Sequence, residues 1–482
     1  MISIPPDLNF GGILPAILLC LAGMIVMVLG LLIDRGKVTS AALISLIGVL
    51  VAIGANTPLR WMNKTAFAGL ISLDAYTWFF NLLVLIATGI TVLVSIRYFN
   101  DDGSDLYEFF ALLLFSAAGM MFMVSANHIL VIFVGLETLS ISIYVLAGIL
   151  PGNVKAKEAS LKYLILGGFS SAIFLYGAAL MYGAAGSLSL PVLTKYFQSG
   201  SVGTMATIGV GMLLVGFGFK VAAVPFHMWT PDVYEGAPTP LTGFMSVGVK
   251  AAAFAAFVRV FFESLTPIEV NWSQILWILA ALTMVLGNVT AVVQDNIKRM
   301  LAYSSIAHAG YILIGMVAGK EAGIAGILYY LLAYTFTNLG AFAVVALVGR
   351  QGEANVMIDD YKGLANSHPM LALVMSLFLF SLAGFPPTAG FVGKFTIFSA
   401  AIGQGYIWLV ILGVLTSAVS VFYYFRVIMK MYMETAETAQ PALQFPPGMV
   451  VALSIAAVAV IYIGVFPTTY LNLALESVKP LF

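Results

Sequence analysis

Cysteine is almost missing: Cys20 is the only one in 482 residues. One thiolate cannot by itself hold an iron–sulfur cluster or build a zinc site. Charge is scarce too, at 9% of residues against about 25% in a soluble domain. The 21 basic and 21 acidic residues cancel, so there is no excess positive charge to attract nucleic acid. No dinucleotide-binding glycine fingerprint and no phosphate-binding loop occurs. If the chain serves a redox or nucleotide-driven machine, other subunits handle the fuel. The first apolar run, about residues 11–33, has no basic segment before it and no convincing small-residue cleavage site. It reads as a retained helix, not a secretory leader.

What the chain has is hydrophobicity, at 61% of residues. A membrane-crossing helix needs about 20 apolar residues. On that basis the expected fold is an all-α polytopic membrane protein with about fourteen transmembrane helices. Their centres fall near residues 22, 48, 86, 116, 139, 172, 215, 250, 283, 309, 335, 383, 417 and 461. The longest polar linker, RQGEANVMIDDYKGLANSHP (residues 350–369), is too small for a domain. The odd-numbered loops hold Arg35, Lys37, Arg97, Lys155, Lys157, Lys298, Arg299, Arg350, Lys362, Arg426 and Lys430. The opposite side holds Arg60, Lys64, Lys195, Arg259, Lys320 and Lys479. This bias of eleven to six places the odd loops in the cytoplasm and both termini outside.

Four lysines, Lys162, Lys220, Lys250 and Lys394, stand in or at the start of apolar runs, together with Glu137. An ammonium at a helix centre in hydrocarbon costs roughly 2.5–3.5 kcal/mol on insertion scales, so such residues point to an ion or proton pathway. Proline interrupts two of the runs, GFGFKVAAVPFHMW (216–229) and LAGFPPTAGFVGKF (382–395). Proline frees backbone carbonyls that protein or water must then satisfy, so a broken helix marks a hydrated cavity. The two breaks lie about five spans apart, and an odd number of spans inverts the second copy across the membrane.

Glu137 shares a helix face with Ser140 and Tyr144, and is the expected carboxylate partner of Lys220. It reads alternatively as a helix-packing residue. Lys250 aligns with Thr242 and Ser246, and His308 with Ser304 and Tyr311. Tyr330, Tyr334 and Thr337 form a further stripe. Lys220, Lys250, His308 and Lys394 could form a chain in which desolvation and nearby carboxylates tune proton affinity. His227, beside Pro225, and Lys162 are auxiliary candidates. Lys162 reads alternatively as a lysine reaching out to the membrane surface.

Several long strings carry a family resemblance: VGLETLSISIYVLAG, KEASLKYLILGGFSSAIFLYG, FKVAAVPFHMWTPDVYEGAPTPLTGFMSVGVKAA, DNIKRMLAYSSIAHAGYILIG and GFPPTAGFVGKF. Over nearly its whole length the chain resembles the antiporter-like membrane subunits of proton-pumping NADH:quinone oxidoreductase (respiratory complex I). The resemblance implies fourteen helices, two inverted five-helix repeats (107–262 and 273–432) and two broken helices. It also implies flanking helices in 1–100 and 445–482, all within one membrane domain. It assigns Glu137 and Lys220 to a fifth-helix and seventh-helix pair, Lys250 to the central lysine and Lys394 to the twelfth-helix terminal residue. One sister group has glutamate where this chain has Lys394. No cofactor is expected in this chain; NADH, FMN, iron–sulfur clusters and quinone are expected in partner subunits. The implied setting is a bacterial inner membrane. A subunit of a multisubunit cation/proton antiporter or membrane-bound hydrogenase is the alternative.

Overall fold

The computed structural model describes residues 9–32, 37–101, 106–150, 152–200, 202–349, 353–435 and 443–482, with the side chains of Asn100 and Asp101 outside that description. Arg35 and Arg350, used above for orientation, lie outside the described residues. The helices are α1 (Leu14–Leu32), α2 (Lys37–Asn56), α3 (Ala75–Asp101), α4 (Glu108–Ser125), α5 (Ile129–Ala147) and α6 (Val154–Ala185). Next come α7 (Leu190–Gln198), α8 (Thr204–Val221), α9 (Thr230–Gly236) and the long α10 (Thr239–Ser264). The second half holds α11 (Glu269–Val292), α12 (Ile297–Ala318), α13 (Lys320–Gly349), α14 (Pro369–Ala383), α15 (Ala389–Gly403), α16 (Ile407–Met433), α17 (Pro447–Val465) and α18 (Pro467–Val478). A small antiparallel hairpin, Lys64–Ala66 with Ile71–Leu73, pairs Thr65 with Ser72. The sequence reading did not anticipate the hairpin or α7.

Thirteen helices among the described residues are long and apolar enough to cross a membrane. The predicted centre at 383 falls where α14 stops and, after five residues, α15 begins. Both halves of that element are apolar but shorter than a full span. Gly384, at φ 91°, closes α14 in a conformation that costs glycine little.

Helix boundaries follow local chemistry. Asn153 caps α6 by accepting from the Ala156 amide at 3.1 Å. Asn296 caps α12 by accepting from the Lys298 and Arg299 amides at 2.9 and 3.2 Å. Such caps satisfy amides that a helix start leaves without partners. Packing between helices relies on small residues. A Cβ on Gly135 would lie 2.7 Å from the Met123 amide nitrogen, so α4 and α5 can approach closely only with glycine there. That contact sets α5, and hence Glu137, against the core.

Three helices form the centre. The apolar windows of α10, α12 and α13 are almost entirely buried, whereas in α1, α2, α6, α16 and α17 well under half of the window is buried. The inner three carry Lys250, His308 and Tyr330 respectively. The outer helices present Leu, Ile, Val and Phe side chains outward, as a lipid-facing or subunit-facing surface requires.

Candidate functional site

Lys220 lies in the last turn of α8, where the helix ends. Ala222 closes that helix at φ 62°, a left-handed conformation unusual for a residue with a Cβ. The Lys220 side chain is buried, and its ammonium donates to Ser140 Oγ at 2.7 Å. The rings of Tyr144, Tyr163 and Phe219 surround it at 5.7, 5.7 and 5.8 Å from their centroids, and their π faces partly replace lost hydration. Tyr163 in turn stacks on Trp229 at 4.4 Å, and the Trp229 indole donates to the Phe219 carbonyl. That bond ties the segment after the break back to α8.

Glu137 does not meet Lys220 directly. Its carboxylate accepts from Ser171 Oγ of α6. Ser140, one turn further along α5, takes the ammonium. The direct contact expected from the sequence is therefore absent: each charge has its own serine, Ser171 for Glu137 and Ser140 for Lys220. A hydroxyl both donates and accepts, so Ser140 can accept from Lys220 while donating to the Leu136 carbonyl.

Lys250 directly follows a π-helical turn, Met245–Val249, inside α10. Such turns recur at functional positions because they displace one residue from the regular ladder. The buried Lys250 ammonium donates to Ser305 Oγ at 2.6 Å and to the Ser305 carbonyl. The expected stripe contributes less than its spacing suggests. Thr242 bonds back to the Tyr234 carbonyl at 3.1 Å, while Ser246 accepts from Asn338 at 2.6 Å.

From Ser304, next to Ser305, a string of polar groups continues. Ser304 Oγ bonds the Tyr424 hydroxyl. That hydroxyl reaches His308 Nε2 at 3.2 Å, and His308 Nδ1 meets the Tyr330 hydroxyl at 2.6 Å. Beyond it lies a void of about 10 Å³ lined by His308, Tyr330, Tyr334, Thr337 and Ser381. It is the size of one water probe and rimmed by polar groups. Lys394 lies past this void, on α15. Its ammonium donates to the Leu382 and Ala383 carbonyls and to Ser417 Oγ, each at 2.9 Å. The two carbonyls belong to the last turn of α14, whose acceptors are freed by the break. No carboxylate pairs with Lys394 among the described residues; freed backbone oxygens take that place. Beside it lies an open groove of about 360 Å³, lined largely by Phe391, Phe395, Phe398 and Val414.

The auxiliary candidates lie elsewhere. Lys162 is partly exposed and pairs with Asp232 at 2.6 Å and Glu158 at 2.7 Å, outside the buried string. His227 is partly exposed in the segment after the break, and its Nδ1 has no hydrogen-bond partner among the described residues. Arg259 and Lys298 were counted as loop charges, but the structure buries both. Arg259 grips Asp74 with bonds of 3.0 and 3.1 Å and also meets Glu263 at 2.9 Å. Lys298 pairs with Glu353. The sequence signal for Lys298 and Arg299 is their place in the first turn of α12. A helix N-terminus disfavours cations, so two in succession imply dedicated acceptors.

Arg299 supplies one such link, at 2.7 Å to Asp232 and 2.8 Å to Glu235. Lys155 also holds Glu235, at 2.9 Å. The network joins α6, α9 and α12. Partial burial pushes the Asp232 carboxyl up, but its bonds to Lys162 and Arg299 outweigh that and hold it below its ordinary value. Glu235 is depressed likewise: burial opposes it, and Lys155 and Arg299 prevail. A depressed folded-state value contributes stability above the unfolded-state value that is lost on acidification. The thermal midpoint of the purified protein should therefore hold between about pH 6 and 8 as far as this network is concerned. It should fall progressively from about pH 5 downward, as the carboxylates of the unfolded state protonate. Replacing Asp232 and Glu235 by asparagine and glutamine should flatten that acid limb.

The family described as "NADH:quinone oxidoreductase/Mrp antiporter, TM" matches residues 126–420. NADH-quinone oxidoreductase subunit N of Trichlorobacter lovleyi is 46% identical, over 98% of this chain and 97% of that protein. Subunit N 1 of Solibacter usitatus is 43% identical over 96% of each. Among solved structures, a chain of respiratory complex I from Thermus thermophilus with bound aureothin is 35% identical, with TM-score 0.81, over 95% of this chain and 98% of that one. A chain of the Mrp complex from Dietzia sp. DQ12-45-1b shares the fold at TM-score 0.84 and 18% identity, over 98% of each chain. With its membrane helices and buried lysines in place, the chain belongs to the NADH:quinone oxidoreductase/Mrp antiporter membrane-subunit family, among the subunit N members of NADH-quinone oxidoreductase.

Proposed function

We propose that this chain translocates protons as a non-redox membrane subunit of a respiratory NADH:quinone oxidoreductase. The observation that carries the reading is two buried polar runs that meet at neighbouring residues of α12: Lys250 to Ser305, and Ser304 through Tyr424 and His308 to Tyr330. Hydroxyls and imidazole both accept and donate protons. A string of them between two buried ammonium groups offers a route without a substrate-shaped cavity. Lys250 stands at one end and Lys394 at the other, and Lys220, held by Ser140 with Glu137 nearby on the same helix, loads the path. The freed carbonyls at the α14–α15 break let Lys394 stand in the membrane without a counter-ion.

On this reading the stretches 107–262 and 273–432 work as inverted copies, each with one interrupted helix. NADH, FMN, iron–sulfur clusters and quinone belong to partner subunits, and their electron transfer drives the charge movement. The setting is a bacterial inner membrane, with the odd loops cytoplasmic and both termini outside. The test replaces Lys250 with methionine, which keeps bulk and removes the titrating group. In sealed vesicles, acidification per NADH oxidised should fall roughly tenfold. Full acidification by an assembled Lys250→Met complex would contradict the reading.

A further inference from the structure

Glu353 stands in the polar linker, yet four donors converge on it. Its Oε1 accepts from the Thr239 amide at 2.7 Å, the Thr239 hydroxyl at 2.6 Å and the Tyr98 hydroxyl at 2.8 Å. Its Oε2 accepts from Lys298. The backbone at Glu353 adopts φ 57°, a conformation that side chains rarely take without compensation. Lys298 is fully buried and also donates to the Ala237 carbonyl at 2.7 Å.

Thr239 starts α10, and Lys298 stands in the first turn of α12. Both helices therefore begin at one membrane face, gripped by one carboxylate. Lys250 lies eleven residues into α10, and Ser305 lies seven beyond Lys298. At 1.5 Å per residue those are about 16 Å and about 10 Å from the clamp. The difference of about 6 Å is the reach of a lysine side chain, which on a helix leans towards the N-terminus. The clamp therefore sets the register in which Lys250 reaches Ser305. The carboxylate also suits the positive end of the α10 dipole.

We infer that Glu353 is a positioning residue for proton transfer: it fixes the axial register of α10 against α12, and through it the Lys250–Ser305 contact. The inference rests on the proton-path reading above. A sliding of one residue, about 1.5 Å, would be enough to break a hydrogen bond of 2.6 Å.

The experiment uses the intact oxidoreductase in sealed vesicles, with acidification measured per NADH oxidised and normalised to assembled complex. Glu353→Ala should lower that ratio roughly fivefold, as expected for a residue that acts through coupling. NADH oxidation should continue. Glu353→Gln keeps acceptors for Thr239 and Tyr98 but strands the Lys298 charge, and should lie between. The double variant Lys298→Met, Glu353→Gln should recover most of the ratio, because the cap remains and no unpaired buried charge is left. If Glu353→Ala does not assemble, the Gln and double variants decide the question. An ion pair that merely stabilised the fold would change the amount of complex but leave the ratio intact in all three; that result overturns the inference. Lys250→Met is measured alongside. If it loses pumping while the Glu353 variants keep theirs, the register role fails and the path stands. If Lys250→Met pumps normally, the path fails, and the register role with it.

Discussion

Lys220→Ala should remove proton translocation through this chain while leaving the subunit assembled. A positioned acid–base group typically contributes 10²- to 10⁴-fold to a proton transfer, so a loss of about a hundredfold is expected at that step. Lys220→Arg provides the sharper contrast. Arginine keeps the positive charge beside Ser140 and the three rings, but it does not release its proton near neutral pH. If charge alone mattered, arginine would restore function; if loading and release matter, it would fail like alanine. The account predicts failure. Dye quenching in sealed vesicles, with complex quantified on native gels, separates the two. Glu137→Gln should give a milder loss, because an amide oxygen can still accept from Ser171 while the negative charge that acts on Lys220 through space is gone.

The second large effect is on stability. Arg259 is buried, and Asp74, which it grips, is also buried. A buried pair contributes little over a well-packed apolar replacement, but removing one partner leaves a charge with no compensation, at a cost of about 3–5 kcal/mol. Asp74→Ala should accordingly lower the thermal midpoint of the detergent-solubilised protein and its yield in membranes. Arg259→Leu together with Asp74→Leu should be less damaging than Asp74→Ala alone. Equal damage from the single and double changes would mean that the pair's geometry, not its charge balance, holds the end of α10 against the start of α3.

Much of the fold was legible because a bilayer imposes a length rule on apolar runs. Each predicted centre falls on a helix or, at 383, on the α14–α15 break. The buried lysines were legible for the same reason: charge inside an apolar run is conspicuous. Their partners were not. Ser140 stood on the expected stripe, yet nothing in the spacing said that it, and not Glu137, would take the Lys220 ammonium. Tyr424 lies about 120 residues from the Ser304 it bonds, and helical periodicity carries no information across that separation. Glu353 was hidden by its setting, since a glutamate in a polar linker reads as solvated. Arg259 and Lys298 misled the charge count for a related reason. They stand near helix ends, where the positive-inside rule cannot tell a loop cation from a buried one.

The most direct test of the proton path is the number of protons released per NADH oxidised in sealed vesicles, compared across Lys220→Arg, Lys250→Met and Lys394→Met. The path predicts that the ratio falls in all three while NADH oxidation by assembled complex persists. An unchanged ratio in assembled Lys220→Arg and Lys250→Met complexes would contradict it, leaving the buried lysines as structural charges.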